Sequence, residues 1–150
     1  MSLRHYLSVV LFVALQLFSI EIALGSVRNT IIVDDSVNVL STFSQSNARY
    51  VIRVELDLKS KELVIGANSI LVFEGGCISN GKIKGNQTTI EAGVVTIFNN
   101  ISNTGTFSSE AVFPQWFGAI ADGSNNCSKA IQQAIDFSVN NYNVPNPWDI

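Results

Sequence analysis

Ile70-Leu71-Val72-Phe73, then Ile78-Ser79-Asn80, then Gly81-Lys82-Ile83, has an echo further along the chain. The echo is Val95-Thr96-Ile97-Phe98, then Ile101-Ser102-Asn103, then Gly105-Thr106-Phe107. The offset between the two copies drifts from 23 to 25 residues, inside the roughly 20–50 residue range of solenoids and other repeat architectures. Runs of three or four residues cannot bury an apolar side alone, so such a chain becomes stable by stacking one coil on the next. On this alignment Phe73 sits over Phe98, Ile78 over Ile101 and Ile83 over Phe107.

The same grammar extends on both sides. Tyr50–Leu58, Glu62–Ile65, Lys82–Lys84, Thr88–Glu91 and Val94–Phe98 join Ile70–Phe73 as short runs rich in β-branched residues, each bounded by turn residues. Gly75-Gly76, Asn80-Gly81 and Gly85-Asn86 punctuate them and are expected to supply positive φ at the corners. Asn-Gly is also a strong hairpin signal, and the sequence alone does not separate hairpins from solenoid corners. Without a strand–Gly–helix unit and a Lys, these glycines are not a phosphate loop. Upstream, Thr30–Val33 reads as a strand and Val37–Phe43 as a strand or a short helix.

The period changes near Asn126. Ala130, Ile131, Ala134 and Ile135 share one side of a helix of about three turns, with Lys129, Gln132, Gln133 and Asp136 on the other. Asn126 or Ser128 is its expected cap, and Pro145 and Pro147 forbid its continuation. The fold class expected from these patterns is therefore mainly β, a stack of solenoid coils, with one amphipathic helix near the C-terminus. The change to a helix argues against a small secreted β-sandwich.

Residues 1–25 read as a signal peptide. Arg4 and His5 form a basic start, Leu7–Ile20 is apolar apart from Ser8, Gln16 and Ser19, and Ala23-Leu24-Gly25 offers a cleavage site. A membrane span needs about 20 apolar residues, more than this run holds, so no span is expected after cleavage. The protein is expected outside the cell or at its surface. Lys and Arg number 9 against 12 Asp and Glu, a net charge of -3, with no basic patch for nucleic acid and no acid run for calcium. The only His lies in the leader, so no metal or other cofactor is expected. Cys77 and Cys127, the two cysteines, have the option of pairing in an oxidising compartment. The plainer reading is Cys77 as a small buried hydrophobe and Cys127 as a loop residue.

Phe113-Pro114-Gln115-Trp116-Phe117-Gly118-Ala119-Ile120-Ala121-Asp122-Gly123, followed by Ala130-Ile131-Gln132-Gln133-Ala134-Ile135-Asp136, resembles the start of the pectate-lyase-like right-handed parallel β-helix superfamily. That superfamily includes rhamnogalacturonases, polygalacturonases, epimerase-like proteins and some phage tail spikes. Its members carry a Trp-Phe-Gly-Ala strand and an Asp-Gly turn leading into a helix at the N-terminal end of the β-helix. The upstream Phe73-Glu74-Gly75-Gly76-Cys77-Ile78-Ser79-Asn80-Gly81 also looks like the leader of surface-associated members. The resemblance implies three divisions: a signal peptide at 1–25, a β-rich leader with solenoid-like coils at 26–112, and the start of a pectate-lyase-like domain at 113–150. Where the family usually has two Asp and a Thr, this chain has Asn126-Cys127-Ser128, which keeps the caps and loses the acids.

By the same resemblance, an acidic polysaccharide is the implied partner and a lyase or hydrolase the implied full-length activity. Catalytic groups would lie on later coils, so this chain is expected to be an inactive N-terminal fragment, and no catalytic residue is assigned. The alternative is an adhesin or tail-spike-like module that binds carbohydrate without catalysis. Several residues invite a role and have a plainer one. Asp122 reads as a turn former. Asp34-Asp35 face opposite ways on an extended segment. Glu55 and Asp57 share a strand face, but the carboxyl separation of about 5–9.5 Å that glycoside hydrolysis needs is less expected there than a solvated face. Trp116 and Phe117 read as core more readily than as a sugar platform. Asn86-Gln87-Thr88, Asn100-Ile101-Ser102 and Asn126-Cys127-Ser128 match the glycosylation triplet at a rate expected in a chain rich in Asn and Ser.

Overall fold

The structure is a computed structural model that describes residues 28–34 and 39–141. The segment expected to be a signal peptide, the two prolines after the helix and Asp35 lie outside the described residues. The elements are β1 (Asn29–Val33), α1 (Val39–Thr42), β2 (Ala48–Ile52), β3 (Glu55–Asp57), β4 (Glu62–Val64), β5 (Ile70–Phe73), β6 (Cys77–Glu91), β7 (Phe98–Ser108), a 3-10 turn (Pro114–Phe117) and α2 (Ser128–Asn141).

All the strand pairs are parallel, and each strand lies on the equivalent strand of the next coil. The chain is a right-handed parallel β-solenoid of about four turns, the hand that parallel crossovers adopt. Its three faces can be followed by register. Ile31, Tyr50, Leu71 and Ile90 stack on the first face. Leu56, Ile78 and Phe98 stack on the second, and Leu63, Ile83 and Asn103 on the third. The 15-residue β6 runs through all three faces without a break. Asn80-Gly81 is thus a corner inside a bent strand and not a hairpin.

Coils are 19 to 22 residues apart, as in Ile70 with Thr89 and Glu55 with Cys77, and this corrects the longer offset read from the sequence. Ile78 lies on Phe98, Gly81 on Ile101, Ile83 on Asn103, and Phe107 on Thr88. The Phe73 and Phe98 rings do meet, edge to face with centroids 5.8 Å apart. The cause is one corner. Between the first and second faces the connection is Arg53-Val54, then Glu74–Gly76, then the six residues 92–97. Those residues were expected to be strand up to Phe98. Instead they wrap Trp116, whose backbone O accepts from Ile97 N at 3.1 Å and whose indole Nε1 donates to Gly93 O at 2.8 Å.

The corners also differ from expectation. Positive φ is carried at Gly75 (φ 89) but otherwise mostly by Asn and polar residues: Asn47, Asn68, Asn80, Gln87 and Asn100 lie between 52° and 56°. Asn tolerates this region because its short side chain bonds locally. Gly81 and Gly85 serve a different need. A Cβ at Gly81 would meet Leu58 Cβ at 2.6 Å, and one at Gly85 would meet the Phe107 ring at 2.7 Å.

Both ends of the stack are covered. At one end α1 leads to Phe43, fully buried and stacked on Tyr50 at 4.5 Å, with Gly66 N donating to Phe43 O at 2.8 Å. Within the expected Val37–Phe43 segment, Val39–Thr42 is a short helix rather than a strand, and Val37 and Asn38 lie outside the described residues. At the other end α2 lies over the last coil. Phe137 is 2% exposed and its ring meets Phe98, Phe107 and Phe117 at 6.0, 5.6 and 5.8 Å. Burial of a ring this size contributes roughly 1.5–3 kcal/mol. The buried stripe of α2 is Ala130, Ala134 and Phe137, while Ile131 and Ile135 are about half exposed. The expected apolar face is corrected by rotation: small residues let the helix approach the coil closely, and Phe137 supplies the volume.

Candidate functional site

The covered end of the solenoid brings the Trp116 segment, the last coil and α2 together. Residues 114–117 form a 3-10 turn where the resemblance implied a strand. Pro114 sets φ for helical geometry at the first position, and Gly118 ends the turn at φ 88, its N donating to Gln115 O at 3.0 Å. Trp116 is 1% exposed and sits in the same core as Phe98, Phe107 and Phe137. Phe117 packs on Phe98 and Phe137. Trp116 is core, as the plainer reading expected, with no open face for a sugar, while Phe117 is half-buried: it packs against the core on one side and lines a cleft on the other.

The loop from Ile120 to Cys127 is held by its own side chains. Asp122 Oδ1 accepts from Ser124 N at 3.0 Å and from Asn125 N at 2.9 Å. Those two backbone N–H groups hold its carboxyl well below the usual range, at about 2. Asn126 Oδ1 accepts from Ser128 N at 3.0 Å and starts α2. Cys127 Sγ donates to Ile120 O at 3.3 Å. Cys77 is also a free thiol, on the outside of the second face in register with Glu55. Burial, and secondarily the Glu55 carboxylate, push its pKa up.

The remaining weighed acids are engaged locally. Glu55 and Asp57 do flank buried Leu56 on one outer face. Asp57 Oδ1 accepts from Lys59 N at 2.9 Å and from Asn80 Nδ2 at 3.3 Å. Asn80 Oδ1 in turn accepts from Asn100 Nδ2 at 3.2 Å, giving a polar ladder across three coils. Asp34 is exposed beyond β1. Of the glycosylation triplets, Asn86, Asn100 and Asn126 are all exposed, but Asn100 is in the ladder and Asn126 caps α2.

Two clefts flank the 3-10 turn. One, about 740 Å³, is lined by Glu91, Glu110, Phe113 and Trp116 among others, and Glu91 is held there by Arg49. The other, about 270 Å³, lies between the last coil and the start of α2 and is lined by Thr96, Asn99, Asn100, Phe117, Lys129 and Gln133 among others. Four carboxamide residues line it, Asn99, Asn100, Gln133 and the α2 cap Asn126, with Lys129 as the one charged residue and no acid. Ser79, in register with Asn99, is fully buried with an unpaired hydroxyl. The sequence reading gave Asn99 no role, weighed Asn100 only in a glycosylation triplet and placed Gln133 only on the polar side of the helix. The available signal was the recurrence of Asn80 at Asn100 with the true coil spacing.

Among the described residues no group of His, Cys, Asp and Glu gathers as a metal set, and no helix is long and apolar enough to cross a membrane. Comparison with protein-family models, curated proteins and solved structures finds no match. The protein class is thus defined by its strand register, as a parallel β-solenoid closed at one end by an amphipathic helix.

Proposed function

We propose that the protein is exported and recognises a polysaccharide outside the cell or at its surface, as part of a pectate-lyase-like β-helix system acting on uronate-containing glycans. In this reading the chain contributes recognition, and no catalytic residue is assigned to it. The observation that carries the reading is the carboxamide-lined cleft at the covered end of the solenoid. Asn and Gln side chains offer both a donor and an acceptor to sugar hydroxyls, and they are held on two packed elements whose positions the core fixes. Three acids outside this cleft have structural duties: Asp57 in the ladder, Asp122 in its turn and Glu91 with Arg49.

The test is retention of the full chain on a panel of insoluble neutral and acidic polysaccharides, with product release assayed in the same tubes. Binding without release of unsaturated or reducing ends is expected. Failure to bind any glycan removes the reading, and turnover by the chain removes its recognition-only part.

A further inference from the structure

Resting on that reading, we infer that the cleft between the last coil and α2 is a subsite for a single uronate residue, with Lys129 meeting the sugar carboxylate and Asn99, Asn100 and Gln133 meeting its hydroxyls. The volume of about 270 Å³ lies just below the range of drug-sized ligand sites, about 300–1,000 Å³, and suits one sugar ring better than a long oligomer. The only charge lining it is positive.

Lys129 is the second residue of α2, where the aligned peptide dipoles disfavour a cation. It makes no ion pair among the described residues. Its placement therefore runs against local electrostatics, the kind of inconsistency that functional sites show. The amides around it are available. Asn100 spends its Nδ2 on Asn80, leaving Oδ1 without a protein donor among the described residues. The Asn99 and Gln133 side chains make no hydrogen bond to protein among the described residues. Phe117 forms an apolar wall against which the ring's C–H face fits. The larger cleft is the contrasting case: Glu91 and Glu110 line it, and like charge opposes a uronate there.

The experiment is calorimetric titration of the full chain with a defined oligogalacturonate and with its fully methyl-esterified form, which keeps the ring and removes the charge. Lys129→Glu and the pair Asn99→Ala with Gln133→Ala are compared with Lys84→Glu, the same charge change on the exposed outer side of the third face. A hydrogen bond to a charged group is worth about 1.5–3 kcal/mol, so esterification or Lys129→Glu is expected to weaken binding at least about tenfold. Lys84→Glu is expected to leave it unchanged. All these positions are solvent-accessible, and thermal unfolding checks that each variant remains folded. If the acid form binds wild type and Lys129→Glu equally, the subsite is elsewhere and the inference fails while polysaccharide recognition stands. If neither form binds and neutral glycans also fail, both fall together.

Discussion

The guanidinium of Arg49 grips both carboxylate oxygens of Glu91, at 3.2 Å from Nη1 and 2.8 Å from Nη2, although the two residues are 42 positions apart. Arg49 lies on β2 and Glu91 at the end of β6, with β5 between them. The pair therefore ties three successive coils together across the outer side of the first face, where Val51 and Val72 are largely buried. A bidentate fork holds this geometry better than a point charge would.

Both groups remain partly exposed, so the contribution is modest, about 0.5–1 kcal/mol at low salt. Arg49→Gln is expected to lower the urea-unfolding free energy by that amount, and the loss is expected to shrink in 1 M salt, where screening acts within about 3 Å. A double-mutant cycle with Glu91→Gln isolates the pair. An Arg49→Gln loss that does not change with salt would assign the role to the aliphatic stem of Arg49 instead.

A second prediction concerns the closest approach between coils. Gly105 is in register with Gly85, its φ is 85°, and a Cβ there would collide with the Gly85 carbonyl oxygen. Gly105→Ala faces both a backbone clash and a disfavoured φ, and is expected to cost roughly 2–4 kcal/mol. Gly93 has nothing within 4 Å of a built Cβ and no positive φ. Gly93→Ala is accordingly expected to be neutral or to stabilise by up to about 1 kcal/mol through the unfolded chain. The urea midpoints of the two variants should differ widely, and equal midpoints would contradict the register between β6 and β7.

The strands from β2 to β6 were legible because period-2 burial and Gly/Asn corners are local signals, as at Glu62-Leu63-Val64, where only Leu63 is buried. Coil register was not legible, because it depends on how many residues each corner holds. The six residues 92–97 around Trp116 displaced the visible echo by several positions, and no local pattern announces a loop shaped by a ring 20 residues downstream. The helix was legible as a helix. Its buried side was misjudged because Ile131 and Ile135 outrank Ala130 and Ala134 in hydrophobicity, whereas packing on the last coil favours the small residues and Phe137. Asn99, Asn100 and Gln133 were hidden for a related reason. They sit on two elements that only the fold unites, in a chain where Asn is common.

The last prediction is a pH dependence at Asp122. Its folded pKa is about 2, depressed from 3.8 by the Asn125 and Ser124 backbone N–H groups. A depressed carboxylate stabilises the folded state above its unfolded pKa, and that contribution is lost as pH falls through the folded value. The turn from Ile120 to Cys127 should therefore keep its form at pH 5 and loosen between about pH 4 and pH 2. The carboxylate is exposed, so the effect belongs to the loop and not to global unfolding. NMR titration of the Asp122 side-chain carbonyl gives the midpoint directly, and the Ser124 and Asn125 amide shifts should move with the same midpoint, since those groups donate to it. Asp122→Asn keeps an oxygen acceptor and removes the charge, so it should abolish the titration while leaving the loop conformation largely intact at neutral pH. An Asp122 midpoint near 4, with amides that do not follow it, would mean that the two backbone hydrogen bonds do not hold the turn in solution.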